Sequence, residues 1–231
     1  MNEHYLLEVT PISETSAALT KIIATDEESI FAHTAIYGGK YIHVCPNEIV
    51  VEYGVHKNKI YQIEEIKTSS FSYKLLKTIT IGKNVRRITW NMYECKSLEN
   101  IFVDKDNKNF YDIDGVLFHK KELLAFPQGR TGIYRIPNGI KKIGNHAFKS
   151  CNLSKIIFPN TLEEIGQNAF YECKNIAEFI LPLSIKRVYS NNDIGNKPIT
   201  QTFYLSSDQA KNRPLTITDI IEIFPVKKSN I

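Results

Sequence analysis

The 231-residue sequence is poor in several residue types that would each announce a class of protein. It has four cysteines, one tryptophan, two methionines and 11 glycines. So few cysteines exclude a scaffold held by disulfides in place of a core, and so few glycines argue against a glycine-rich nucleotide-binding loop. No apolar run approaches the roughly 18 residues that cross a bilayer, so no membrane insertion is expected. The first segment, Met1–Thr10, carries Glu3 and Glu8 where a secretory leader places lysines. As written, the chain reads as a soluble protein without an export signal. Leucine is scarce too, with 15 against 32 isoleucines. Hydrophobic residues still make up 42%, enough for a substantial core. The β-branched excess favours many short strands on half-buried, pleated surfaces.

Acidic charge is what the larger part of the chain lacks. The formal net charge is +4, yet residues 1–60 hold four lysines and eight acidic residues, a balance of −4 that leaves +8 on residues 61–231. A basic excess of this size invites a nucleic-acid reading, and the register of the charges decides against it below.

Self-similarity recurs with a period of 22 residues. Pro137-Asn138-Gly139-Ile140-Lys141-Lys142-Ile143-Gly144-Asn145-His146-Ala147-Phe148-Lys149-Ser150-Cys151 aligns without a gap to Pro159-Asn160-Thr161-Leu162-Glu163-Glu164-Ile165-Gly166-Gln167-Asn168-Ala169-Phe170-Tyr171-Glu172-Cys173. The template runs backwards through Val85, Ile88, Cys95, Leu98 and Ile101 to Ile63, Ile66, Tyr73, Leu76 and Ile79. With one inserted residue it runs forwards through Ile176, Phe179, Pro182, Ile185 and Val188. About five coils are legible between residues 60 and 190.

The frame Ile-Pro-x-x-Ile-x-x-Ile-Gly-x-x-Ala-Phe-x-x-Cys-x-x-Leu-x-x-Ile, best seen at Ile136–Ile156 and Phe158–Phe179, resembles the BspA-type (Treponema pallidum-type) leucine-rich repeat. Asp114-Gly115-Val116-Leu117-Phe118 followed by Leu123–Gly129 is similar to a hairpin insertion common in that family. Gly38-Gly39-Lys40-Tyr41 to Ile63 resembles its N-terminal entry segment, so residues 36–206 are covered in all. One departure is visible: Cys151 is followed by Asn152-Leu153, one residue fewer than Cys173-Lys174-Asn175-Ile176.

The expected fold is a β-rich leucine-rich repeat solenoid. Right-handed coils of about 22–23 residues stack into a parallel strand ladder, with short strands and helical turns on the convex side and a β-hairpin insertion near residues 104–130. A single coil encloses no core, so each buries its Ile, Phe and Cys positions against the next. Gly144 and Gly166 are expected to permit the turn into the Ala-Phe segment. Residues 1–58, read as a short helix at Ser13–Ala24 plus a hairpin at Ile36–Ile42, cap one end of the solenoid at 59–190, and residues 191–231 cap the other.

The same register places the charges. Glu64-Glu65 falls opposite Arg86-Arg87, Lys141-Lys142 opposite Glu163-Glu164, and these opposite Lys186-Arg187. Alternating sign is what a cross-strand ion-pair ladder needs, and it leaves no basic face for a nucleic acid. Cys95, Cys151 and Cys173 share one repeat position and read as a buried column, lacking C-x-x-C spacing. A disulfide between Cys151 and Cys173 is geometrically conceivable on adjacent coils. The six histidines are scattered, and Asp104, Asp106, Asp112 and Asp114 lack the EF-hand frame. No catalytic residue, metal site or cofactor site is expected.

Function therefore has to lie on the surface. Strand alternation turns Thr78 and Thr80, Asn100 and Phe102, Ile133 and Arg135, Lys155 and Ile157, Glu178 and Ile180, and Tyr204 outward on the ladder face. Several are apolar where a merely solvated face would be polar, which points to a site for another protein. The leading expectation is a non-enzymatic protein-binding module. The resemblance implies a secreted or surface-attached bacterial protein, acting as an adhesin or host-interaction factor. The alternative is a structural spacer or glycan-binding repeat; the only tryptophan, Trp90, lies beside the inward Ile88 and gives glycan stacking no support.

Overall fold

The computed structural model describes residues 4–25, 48–51, 53–56, 59–67, 76–89, 95–176, 178–189 and 202–205. The hairpin expected at Ile36–Ile42 lies outside the described residues. The chain divides into two compact units, Met1–Leu117 with Pro127–Gly129, and Phe118–Phe126 with Arg130–Ile231. Their boundary runs through the hairpin insertion.

In the first unit β1 (His4–Pro11) and β2 (Ser16–Thr25) pair antiparallel, with a bulge between Glu8 and Val9. This corrects the helix expected at Ser13–Ala24. The Ser13 hydroxyl accepts the Thr15 and Ser16 N–H groups, and Ile12 and Ser13 donate to the Ser16 carbonyl, so the segment closes a tight turn where a helix would have started. The β-branched residues Thr20, Ile22, Ile23 and Thr25 then suit an extended strand. β4 (Tyr53–His56) pairs antiparallel with the first half of β5 (Lys59–Ile66), and the second half pairs parallel with β2 and with β7 (Arg87–Ile88). A second sheet stacks β3 (Glu48–Val51), β6 (Thr78–Ile81) and β8 (Asn100–Val103) in parallel, with Ile49, Ile79 and Ile101 in register. Ile63, Ile66, Leu76, Ile79, Val85, Leu98 and Ile101 are fully buried. These are the positions at which the period of 22 places aliphatics.

Buried Asn107 ties the next loop to the coil before it. Its side-chain N–H groups donate to the Gly82 and Val85 carbonyls, and its oxygen accepts the Asn109 and Phe110 N–H groups. At Asp114-Gly115 both residues have positive φ, 49° and 67°, the two-residue turn that matches strand twist. The turn joins β9 (Tyr111–Ile113) to β10 (Val116–His119), and the chain passes into the second unit within β10.

The second unit carries two series of strands. The longer series pairs β12 (Thr131–Arg135) with β14 (Asn152–Ile157), and β16 (Glu178–Leu181) with β18 (Thr202–Leu205), all parallel. The shorter series runs β11 (Glu122–Ala125), β13 (Lys142–Ile143), β15 (Glu164–Ile165) and β17 (Arg187–Val188). It is parallel throughout, with Leu123, Ile143, Ile165 and Val188 in one row. Between the series Phe126, Phe148, Phe170 and Phe179 stack with ring centroids 5.0, 5.4 and 4.6 Å apart. Ala125-Phe126, at the end of the hairpin insertion, thus repeats Ala147-Phe148 and Ala169-Phe170, and the insertion contributes a rung of its own.

The turn into that stack works differently from the expectation. Positive φ falls on His146 and Asn168, then on Ser150 and Glu172, pairs that repeat at the coil spacing, while Gly144 and Gly166 are not left-handed. Gly166 is needed for close approach: a Cβ there would lie 2.7 Å from both the Asn145 nitrogen and the Gly144 carbonyl carbon. Side chains also bond from coil to coil. The Ser154, Thr161 and Ser184 hydroxyls donate to the Gly132, Ile140 and Leu162 carbonyls at 2.9, 2.8 and 2.6 Å.

Candidate interaction face

The two strand series of the second unit carry different surfaces. On the short series Glu122, Glu163 and Glu164 each meet a cation one coil away. Glu163 accepts from Lys141 at 2.6 Å and from Lys186 at 2.8 Å. These two hydrogen bonds hold its carboxyl well below the usual carboxylate range, at about 2. Arg187 reaches Glu164 at 3.3 Å; Tyr189 and then Glu164 raise its pKa. Lys142 pairs with Glu122 at 3.0 Å, although its expected partner was Glu164. The insertion places Glu122 on the other side of Lys142 in the same row, 20 residues away and so hidden from a search at 22. In the first unit Arg86 pairs with Glu64, and the buried carboxylate of Glu65 is met by both Arg87 and Lys67. Ion pairing thus neutralises the acidic positions of these rungs, while the net +8 of residues 61–231 is unchanged by it.

The longer series is different. Ile133 lies beside Lys155 and Arg135 beside Ile157 in the β12–β14 register, so apolar and cationic positions alternate both along and across the pair. Ile133 is 65% exposed and Ile180, on β16, is 51% exposed. Arg135 and Lys155 are exposed and Ile157 is half-buried. Among the described residues neither Arg135 nor Lys155 makes an ion pair. Of Glu178 and Tyr204 the backbone is placed, opposite Thr202 and Ile180 respectively. Leu153 and Ile156 both point inward although they are three residues apart, because the register shift between Gly132 and Ile133 leaves Ser154 as an extra residue on β14. Phe158 is half-buried, its ring against Phe170 and Phe179.

Asn100 and Phe102 belong to the first unit, on β8, where they pair with Thr78 and Thr80. Phe102 is 41% exposed. Asn100 is half-buried under the hairpin turn, so close that a Cβ on Gly115 would lie 2.6 Å from its side-chain oxygen. Thr78, expected outward, is buried. The aspartates near the insertion serve the backbone: Asp104 accepts the Asp106 N–H, and Asp112 accepts the Val103 N–H at 2.8 Å.

The expected cysteine positions are interior, with Cys95, Cys151 and Cys173 all buried and reduced. Cys151 and Cys173 touch, their sulfurs 3.3 Å apart, and the Cys173 thiol donates to the Phe148 carbonyl at 2.9 Å. The shared hydrogen bond lowers the pKa of Cys151 and, with burial, raises that of Cys173.

Comparison with solved structures finds a leucine-rich repeat protein from Eubacterium ventriosum, 15% identical, covering 80% of this chain and 83% of that one with a TM-score of 0.38. It also finds a leucine rich cell surface protein from Faecalibacterium prausnitzii, 14% identical over 81% and 83% with a TM-score of 0.36. The T. pallidum leucine rich repeat protein is 15% identical over 80% and 62%, with a TM-score of 0.29. No curated protein matches. The model of the BspA type leucine rich repeat region matches residues 58–127 and 124–192 in six copies, more than half of the chain. Matched repeats and parallel strand ladders agree: this chain belongs to the BspA-type leucine-rich repeat family.

Proposed function

We propose that the protein is a non-enzymatic binding module whose longer strand series holds another protein at a bacterial cell surface, in the manner of an adhesin, with residues 1–58 and 191–231 capping the repeats. The observation that carries this is the contrast on the second unit. The short series neutralises its own charges, whereas β12, β14 and β16 present Ile133 and Ile180 more than half exposed beside the cations Arg135 and Lys155. Exposed aliphatics beside a cationic fork are the composition of a protein-binding patch. Asn100, Phe102, Ile157, Glu178 and Tyr204 are further candidates. The surface location rests on family resemblance.

The test is affinity capture from surface extracts with wild type and with Ile133→Ser/Ile180→Ser, followed by measurement of Kd for any protein that only wild type retains. A partner bound by wild type and lost by a variant of unchanged melting temperature supports the proposal. Identical retention by both removes these residues from any binding face.

A further inference from the structure

We propose that Cys151 and Cys173 form a site of covalent modification, at which oxidation joins them in a disulfide that staples one coil to the next. The two sulfurs are already in contact at 3.3 Å, and the residues are equivalents in successive coils, 22 apart. Parallel strands stack about 4.8 Å apart, inside the Cα separation of roughly 4.4–6.8 Å that disulfides span. Side-chain rotation, without movement of the coils, can bring the sulfurs to bonding distance.

The surroundings tolerate the change. Oxidation removes the Cys173 S–H that donates to the Phe148 carbonyl, but that carbonyl also accepts the Cys151 N–H at 3.0 Å and keeps a partner. Both residues are buried, and Cys151 is the one whose thiolate is favoured by its neighbour.

The co-reactant is a small disulfide. The Cys151 thiolate attacks one of its sulfurs, the small S–S bond breaks, and one small thiolate leaves. Cys173 loses its proton to solvent and attacks the Cys151 sulfur, forming the protein disulfide and expelling the second small thiol. Two protein thiols are oxidised and one small disulfide is reduced to two thiols, so protons and electrons balance.

The consequence reaches the surface. Cys151 directly precedes β14, and Cys173 lies five residues before β16. The staple would hold together the roots of the strands that carry Lys155, Ile157 and Ile180. It would form in an oxidising compartment and stay open in a reducing one.

The experiment is to refold the full chain from urea in mixtures of oxidised and reduced glutathione, then map peptides by mass spectrometry without reduction. A Cys151–Cys173 linked peptide is expected, with a melting temperature raised by roughly 5–10 °C over the reduced form. Cys173→Ser should lack both effects, with Cys95→Ser keeping them. Linkage through Cys45 or Cys95, glutathione on either cysteine without a link, or two free thiols after full equilibration would each overturn the proposal; the mapping on wild type does not depend on the variants folding.

Discussion

Within the second unit two parallel strand series arise from the same repeat and end with opposite surfaces. The short rungs, two residues long at β13, β15 and β17, begin at the second residue of Lys141-Lys142, Glu163-Glu164 and Lys186-Arg187, pairs that alternate in sign from coil to coil. The longer strands carry isoleucine, arginine and lysine without that pattern. Stacking equivalent residues multiplies whatever a position holds. A charge must alternate in sign or repel its copy, and the longer strands avoid that repulsion by setting each cation beside an isoleucine, Lys155 beside Ile133 and Arg135 beside Ile157. The repeat thus separates a face that satisfies itself from one that does not.

The largest effect that would break this comparison lies beneath both series. Phe148→Ala, at a side chain wholly buried between Phe126 and Phe170, should cost about 3–5 kcal/mol in urea unfolding. An unchanged midpoint would mean that the aromatic stack does not join the two series. Gly166→Ala drives a Cβ into backbone atoms of the preceding coil and should cost about 1–3 kcal/mol. A neutral result would put the need for glycine elsewhere in the turn.

The charged face is sharpened by pH. Glu163 has its carboxyl lowered from 4.5 to about 2 by Lys141 and Lys186. A depressed carboxylate stabilises the fold fully above its unfolded value, and the contribution fades as pH falls from 4.5 through 2. Wild type should therefore lose more stability than Glu163→Gln across that window, with the difference shrinking in high salt. Superimposable acid curves would show that the rung is decorative. Smallest is Ile133→Ser/Ile180→Ser, whose stability should stay within about 0.5 kcal/mol of wild type. Unfolding of this variant would place these side chains in the core and reverse the faces.

The repeats were legible because stacking demands equivalent residues at equal spacing, and Ile143, Ile165, Phe148 and Phe170 obey it. Strand alternation likewise located Ile133, Lys155 and Ile180. What escaped was whatever the period does not carry. β2 is a strand because β1 and β5 take its backbone bonds, and its own imperfect apolar stripe gave no sign of that pairing. The partnership of Lys142 with Glu122, and the extra Ala125-Phe126 rung, come from an insertion that shifts the count. The left-handed turn residues were hidden because His146, Ser150, Asn168 and Glu172 share no side-chain chemistry; the visible glycines stand two residues before the first of each pair and serve a different need.

Sign alternation also bears on how such a protein can lengthen. Copying the coil that holds Glu163-Glu164 once would set carboxylates against carboxylates, since each rung is neutralised only by a neighbour of the other sign. Copying two successive coils keeps every rung opposite its complement. The smallest segment this ladder can duplicate without electrostatic penalty is therefore a pair of coils, and growth by single coils would demand charge reversals in the same step.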